Sequence, residues 1–225
     1  MWIKSLKEYK GEKVEEGLSL ISIMANLSLL EWMEIKIRAR YIMDIEEEED
    51  LITLVRALKE DSEHLLNLKE ASKELGSIAW ISPGLYYTFK KILERKEAYL
   101  LELLHVTLLE PTISSITSFL YEKKNFLKRI KEEEDLHVKE ISKLFKGAKE
   151  EDFLNFLEEN SIVLFTTALT EEEGKTFLSF LIGDLKPFYS KIDEKRIEAV
   201  REIFGKDSKI IDFIKNYGLS KRGLC

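Results

Sequence analysis

The sequence predicts an all-α protein: an antiparallel four-helix bundle with a long crossover between helices two and three, followed by a helical C-terminal extension. Two observations predict this class. Apolar residues recur at three- and four-residue steps over long segments, which is the period of an amphipathic helix. Carboxylates and histidines also occupy apolar faces, at positions where leucine or isoleucine would be expected. We expect residues 13–146 to form the bundle and residues 147–225 to form an extension packed on it.

The composition is that of an ordinary globular protein with a core, with 34% charged and 44% hydrophobic residues. The net charge of −7 and the scattered basic residues argue against a general nucleic-acid groove. Cys225 is the only cysteine, so a reducing cytoplasm is the simplest compartment. The apolar run 18–30 is too short and too mixed for a membrane span, so we expect no membrane partner. Abundant Lys and Glu without any Gln favour a thermophile.

The first two predicted helices each carry acids on the apolar face. Residues 13–44 form the first, with Glu31 directly opposite the polar side and Glu34 nearer the boundary. Residues 48–75 form the second, closed by Gly76. Asp61 lies on the apolar stripe of this helix and His64 flanks it three residues later, so the two side chains share a face.

The third helix is expected to follow the long connection Gly76–Gly84 and to run from about Leu85. Its apolar stripe ends at Glu110, and Pro111 leaves two alternatives. Pro111 could start helix four, since proline suits a first helical turn, or it could lie within helix three. In the second case the turn falls at residues 121–125 and brings Glu110 level with the next acid pair, which we favour. The pair Glu102 and His105 falls on the flank and polar side, so we do not expect it in the site; a part for it or for Glu34 stays open.

The fourth helix carries Glu134 and His137 on its apolar side, opposite a lysine-rich side, and ends at Gly147. The extension is expected to consist of shorter helices. Asp193 is predicted to cap a helix over 194–204 that Gly205 stops, and Asp207 or Ser208 to cap the next.

Each half of the bundle therefore supplies an inward carboxylate, a turn and an acid-x-x-His pair. The candidate metal ligands are Glu31, Asp61, His64, Glu110, Glu134 and His137. Four carboxylates and two histidines from four helices are what a dinuclear iron or manganese site requires. Without cations, acids that converge in one core would repel one another and take up protons. The alternative is a metal-free bundle with a polar seam.

This arrangement resembles the ferritin-like superfamily of carboxylate-bridged diiron proteins over residues 13–146. The segments Ser82-Pro83-Gly84-Leu85-Tyr86-Tyr87 and Leu103-Leu104-His105-Val106-Thr107-Leu108-Leu109-Glu110 resemble the tRNA 2-methylthio-isopentenyl-adenosine hydroxylases. That family has a similar proline-containing crossover and a ligand Glu at the end of an apolar run. Two features depart from the family. Asp61 stands where the family has Glu, and Pro111-Thr112 follows the ligand Glu where the family has small and basic residues. The extension has no counterpart.

The resemblance implies a non-haem diiron oxidoreductase that activates dioxygen to hydroxylate an organic substrate, with a modified tRNA base as one candidate. Its cofactors would be two iron ions, or manganese. Its partners would be dioxygen, an external electron donor and a small-molecule or modified-nucleoside substrate, with a homo-oligomer as a further expectation. The alternatives are an iron-oxidising or peroxide-reducing protein, as in ferritin and rubrerythrin, and a metal-free helical interaction module. Because Asp61 is one methylene shorter than Glu, we expect it to bind one ion rather than to bridge two.

Overall fold

The computed structural model describes the backbone of residues 12–74, 90–120, 125–160 and 185–222, and side chains within 24–71, 90–120, 126–160 and 185–221. Every regular element in these ranges is helical, which confirms the all-α class for this part of the chain. The helices are α1 (Glu12–Ile42), α2 (Glu48–Glu74), α3 (Ala98–Leu120), α4 (Asn125–Ile141), α5 (Glu150–Glu159), α6 (Leu185–Phe204), α7 (Lys209–Tyr217) and α8 (Leu219–Arg222).

Four long helices surround one core. α1 packs against α2, to which residues 43–47 join it, and α3 packs against both α1 and α4, while α4 also contacts α2. Each helix places fully buried apolar side chains in this core, among them Met33, Leu54, Leu104 and Ile130. The predicted crossover Gly76–Gly84 lies outside the described residues.

Pro111 lies inside α3, so the alternative that placed it within helix three is confirmed, and the chain does not turn until after Leu120. Residues His105–Leu109 form a π-helical turn just before it. There the amide of Glu110 donates to the carbonyl of His105, five residues back. A π turn inserts one extra residue into the helix, and such turns are frequent at functional sites.

The third helix does not run unbroken from Leu85 as expected. Residues 85–89 are outside the described part; residues 90–93 are helical, and the chain then leaves the helix until Ala98. Arg40 of α1 stabilises this break by donating hydrogen bonds to the carbonyls of Leu93, at 3.1 Å, and Arg95, at 2.8 Å. These bonds satisfy carbonyls that a continuing helix would have used.

α3 is the central helix, because α6 of the extension covers it in addition to α1 and α4. Every residue from Leu101 to Thr117 is buried. Among the described helices it is also the one long and apolar enough to cross a membrane, but 89% of its most apolar window is buried inside the protein, as in a core helix.

The extension differs from the prediction at Asp193, which lies within α6 rather than at the start of a helix. Its carboxylate instead accepts hydrogen bonds from the amides of Leu219, at 3.1 Å, and Ser220, at 2.9 Å, and so caps α8. The predicted cap at Ser208 is confirmed, since its hydroxyl accepts from the amide of Ile210. α6 ends before Gly205, as expected, with a φ of +87° at that glycine.

Candidate metal centre

The structure brings all six candidate ligands together in the core, from four different helices. They form two groups, in each of which the ligand atoms lie within 4.8 Å of one another. Glu31, Asp61, His64 and Glu134 make up the first group, and Glu110, Glu134 and His137 make up the second. Glu134 belongs to both groups, as a carboxylate that bridges two ions would.

Both histidines present the same ring atom to the carboxylates. The Nδ1 of His64 lies 3.3 Å from Glu31 Oε2 and 3.2 Å from Glu134 Oε1, without the alignment that a hydrogen bond requires. The Nδ1 of His137 lies 3.5 Å from Asp61 Oδ1 and 3.8 Å from Glu110 Oε1. A neutral imidazole oriented in this way offers its lone pair to the space between the acids.

The opposite ring atoms are held by two further glutamates. His64 Nε2 lies 2.6 Å from Glu133 Oε2, and His137 Nε2 lies 2.7 Å from Glu60 Oε2. Glu133 directly precedes Glu134 but holds His64, and Glu60 directly precedes Asp61 but holds His137. The histidine of each acid-x-x-His pair is thus held by the glutamate that precedes the other pair. A carboxylate on the outer nitrogen fixes the tautomer of a metal-binding histidine.

Arg38 occupies the other side of the cluster and was not anticipated from the sequence. It is completely buried, and its Nη1 donates to Asp61 Oδ2 at 2.5 Å while its Nε donates to Glu102 Oε1 at 3.1 Å. Its Nη2 donates to Glu110 Oε1 and lies 3.3 Å from His105 Nε2. One guanidinium therefore neutralises carboxylates from two helices, including two of the candidate ligands.

Glu102 and His105, expected on the flank and polar side of their helix, are completely buried beside the site. His105 lies between two acids, with Nδ1 3.1 Å from Glu102 Oε2 and Nε2 3.1 Å from Glu34 Oε1. Its Nε2 is also 3.4 Å from Glu110 Oε1. Glu34, left open by the sequence, is thus buried in a second layer that adjoins the six candidate ligands.

Burial and mutual repulsion act strongly on the acids. Burial, with repulsion from Glu134 and Asp61, raises the pKa of Glu31 to about 8 against the lowering effect of His64. Burial also raises the pKa values of Glu34, Asp61 and Glu110, although Arg38 opposes the rise for the last two. A group whose carboxylates resist ionisation in this way is short of positive charge.

For His64, His137 and the two remaining acids, the pKa values shift in the direction that favours the charged form. Burial opposes the imidazolium form of His64, but its contacts with Glu134 and Glu31 outweigh burial and raise its pKa to about 12. The hydrogen bond to Glu60 likewise overcomes burial and raises the pKa of His137 to about 9. Against burial, His64 lowers the pKa of Glu134, and His105 with Arg38 lowers that of Glu102 to about 2. Protonated histidines would thus supply part of the positive charge that the cluster needs.

Many buried polar atoms of the cluster have no hydrogen-bond partner. They are both carboxylate oxygens of Glu31, Glu34 and Glu134, one oxygen each of Asp61 and Glu110, and the Nδ1 atoms of His64 and His137. A buried polar atom without a partner costs about 1–3 kcal/mol, so such a concentration requires an explanation. The donor set fits a pair of hard divalent cations, because carboxylate oxygens and imidazole nitrogens are the ligands of iron and manganese in proteins.

The π turn of α3 determines where Glu110 points. Thr107 and Thr112 donate their hydroxyls to the carbonyls of Leu103, at 2.7 Å, and Leu108, at 2.5 Å. The buried Arg196 of α6 donates to Thr112 Oγ1 and to the carbonyl of Leu108, which lies in the π turn. The extension therefore supports the irregular turn immediately before this candidate ligand.

The six candidate ligands are 0–1% exposed. A surface cleft of about 210 Å³ is lined by Trp32, Lys90, Leu93 and Glu94, and none of these residues belongs to the site. This cleft therefore does not supply the substrate-sized pocket beside the site that would favour hydroxylation of a large substrate.

Comparisons with known proteins identify no relative. The chain matches no protein-family model, and neither the curated proteins nor the solved structures gave a match. The resemblance to the ferritin-like superfamily and to the tRNA hydroxylases gains no support from them.

Proposed function

We propose that this protein is an oxidoreductase with a dinuclear iron centre, or a manganese centre of the same design, in a ferritin-like bundle. Glu31, Asp61 and His64 with Glu134 would hold one ion, and Glu110, Glu134 and His137 the other. The observation that carries the proposal is the set of buried ligand atoms that lack hydrogen-bond partners and converge in two groups with a shared carboxylate.

A bound pair of iron or manganese ions would supply redox chemistry with dioxygen or peroxide, which the side chains alone cannot perform. The chain's own part is to bind and orient the ions, to exclude water and to fix the histidine tautomers. Glu60 and Glu133 serve the last purpose. No separate acid or base beyond the ligands is needed for this proposal.

The burial of the ligands favours a small oxidant and a small reductant. Dioxygen, peroxide and ferrous ions are small enough to need only a narrow route to buried ligands, whereas a nucleoside requires a pocket beside the ions. Iron oxidation or peroxide reduction is therefore the form of the activity that the buried ligands support best. Hydroxylation of an organic substrate is the second candidate, and its support is the buried apolar run of α3 that ends at Glu110, as in the tRNA hydroxylases.

The test begins with metal content. Protein loaded anaerobically with ferrous ion should bind two ions per chain, and exposure to dioxygen should produce the near-ultraviolet absorption of an oxidised iron pair. His137→Ala and Glu134→Ala should each abolish two-ion binding. Glu63→Ala is the matched control, because Glu63 is one-third exposed and its carboxylate pairs with the surface residues Lys59 and Arg129.

Two further outcomes decide the reaction class. Rapid consumption of dioxygen or peroxide by the ferrous protein alone would support iron oxidation or peroxide reduction. Uptake of dioxygen that requires an added nucleoside and an electron donor would support hydroxylation instead. Full binding of iron and manganese by both alanine variants would overturn the dinuclear proposal, and the acid-x-x-His pairs would then be polar contacts of the core.

A further inference from the structure

Arg38 divides the site into two unequal halves. Its guanidinium holds one oxygen each of Asp61 and Glu110, and it also bonds Glu102. No hydrogen bond or ion pair within the described part of the chain joins it to Glu31 or Glu134. Arg38 therefore bonds Asp61, one of the three carboxylates in the His64 group, and Glu110, the carboxylate that the His137 group does not share.

This asymmetry matters because the two metal positions draw on different carboxylates. The position at His64 has Asp61, of which Arg38 holds one oxygen, together with Glu31 and Glu134, whose four oxygens are all without hydrogen-bond partners. The position at His137 has Glu134, which it shares with the first position, and Glu110, which is already paired with Arg38. An ion at the second position must share that carboxylate with a permanent cation, since an arginine does not lose its charge in a protein.

We infer that Arg38 acts as a fixed internal cation that makes the two metal positions unequal, so that the position at His64 fills first and tightly and the position at His137 fills later and weakly. The inference rests on the proposed dinuclear site. Arg38 is a positioning residue here: it holds one oxygen of Asp61 and of Glu110 and leaves the other free for an ion.

The short distance between the positive charge of Arg38 and that of an ion at the second position sets the expected size of the effect. Interaction between charges a few ångströms apart in a partly screened protein interior changes a binding constant by about tenfold or more. We therefore expect the two dissociation constants for Mn²⁺ to differ by at least about tenfold in the unmodified protein. Replacing Arg38 by an uncharged residue of similar shape should bring them together by tightening the weaker one.

The experiment is a titration of the full chain with Mn²⁺, followed by calorimetry and by electron paramagnetic resonance. In the unmodified protein the first equivalent should give the signal of an isolated ion, and a spin-coupled pair should appear only with excess metal. Arg38→Gln should bind the second ion about tenfold more tightly and show the coupled pair at lower metal concentration. Arg38→Lys, which keeps the charge, should stay close to the unmodified protein, and Arg56→Gln, a half-exposed arginine of α2, is the control.

The outcomes separate this inference from the proposed function. Two equal positions in the unmodified protein, with coupled pairs from the first equivalent, would overturn the role of Arg38 and leave the dinuclear site standing. Weaker binding at the second position in a folded Arg38→Gln protein would also overturn it, because Arg38 would then be a structural support only. If Arg38→Gln does not fold, the comparison of first and second equivalents in the unmodified protein decides. Absence of any stoichiometric Mn²⁺ binding would overturn both proposals.

Discussion

At the scale of single residues, the two candidate ligand histidines are fixed from two sides. Their Nδ1 atoms face the carboxylates, while Glu133 and Glu60 hold their Nε2 atoms at 2.6 and 2.7 Å. Both outer acids are only partly buried, with 19% and 21% of their side chains exposed. The hydrogen bond with His137 lowers the pKa of Glu60.

Removal of either outer acid should weaken one metal position. Glu133→Ala should reduce metal affinity at the His64 position, and Glu60→Ala at the His137 position, each by roughly 10- to 100-fold, because the freed imidazole loses its orientation and basicity. Titration with Mn²⁺ measures both constants. Glu132→Ala, at a position 60% exposed, is the control. Unchanged affinity in both variants would mean that the glutamates are ordinary surface partners.

The residues of this site were predictable to different degrees. Four acids could be recognised because burial of an acid on an apolar stripe is unfavourable without a partner: Glu31, Asp61, Glu110 and Glu134. The spacing of three residues also links Asp61 and Glu134 to histidines. Glu60 and Glu133 could not be recognised by periodicity, since an acid at the edge of the polar face of a helix resembles any solvated residue. Their signal was the repeated acid pair before each x-x-His. Arg38 lies seven residues after Glu31, two helical turns on the same face, and that spacing could have revealed it.

At the scale of elements, the π turn explains why the positions of Glu102 and His105 were predicted wrongly. A helical wheel assumes a constant angle of about 100° per residue. The extra residue in His105–Leu109 shifts the phase, so one wheel cannot place residues on both sides of the turn. The wheel also assumes a polar face, but α3 has none between Leu101 and Thr117 because α6 covers it. Neither feature follows from periodicity.

The contact between Arg196 and Thr112 should be energetically important for this turn. Arg196 donates to Thr112 Oγ1 from Nη2 at 2.9 Å and from Nε at 3.1 Å, and all these atoms are buried. A double-mutant cycle with Arg196→Met and Thr112→Val should give a coupling energy of about 1–3 kcal/mol. Denaturant unfolding of the four proteins measures it. A coupling near zero would show that α6 supports the turn by apolar packing alone.

At the scale of the whole molecule, the buried cluster is short of positive charge. Six buried carboxylates, Glu31, Glu34, Asp61, Glu102, Glu110 and Glu134, face one buried arginine in it. With neutral histidines the ionised cluster carries five more negative than positive charges, and two divalent ions would offset four of them. All 3 histidines of the chain are in this cluster, so protons are the other source of charge. Metal and protons should therefore compete.

This competition determines how stability depends on pH. The pKa of Glu31 is raised from 4.5 to about 8, and that of His137 from 6.5 to about 9, so the metal-free folded protein holds protons that the unfolded chain has released. Groups with raised folded pKa values contribute stability at low pH and lose that contribution as pH rises through the folded value. The lowered pKa values of Glu102 and Glu134 add no slope above about pH 5, because both acids are then ionised in either state.

We therefore expect the melting temperature of the metal-free protein, prepared by chelation, to fall as pH rises from about 6.5 to about 9. Loading with Mn²⁺ should remove this fall, because metal binding requires deprotonated ligands and strengthens as protons leave. The stabilisation by Mn²⁺ should thus grow with pH, and metal binding at pH 7 should release protons that an indicator dye can detect. His137→Gln should show a shallower slope in the metal-free state, because Gln does not titrate. A metal-free melting temperature that stays constant or rises across this window would show that these groups ionise in the folded protein as they do in the unfolded chain.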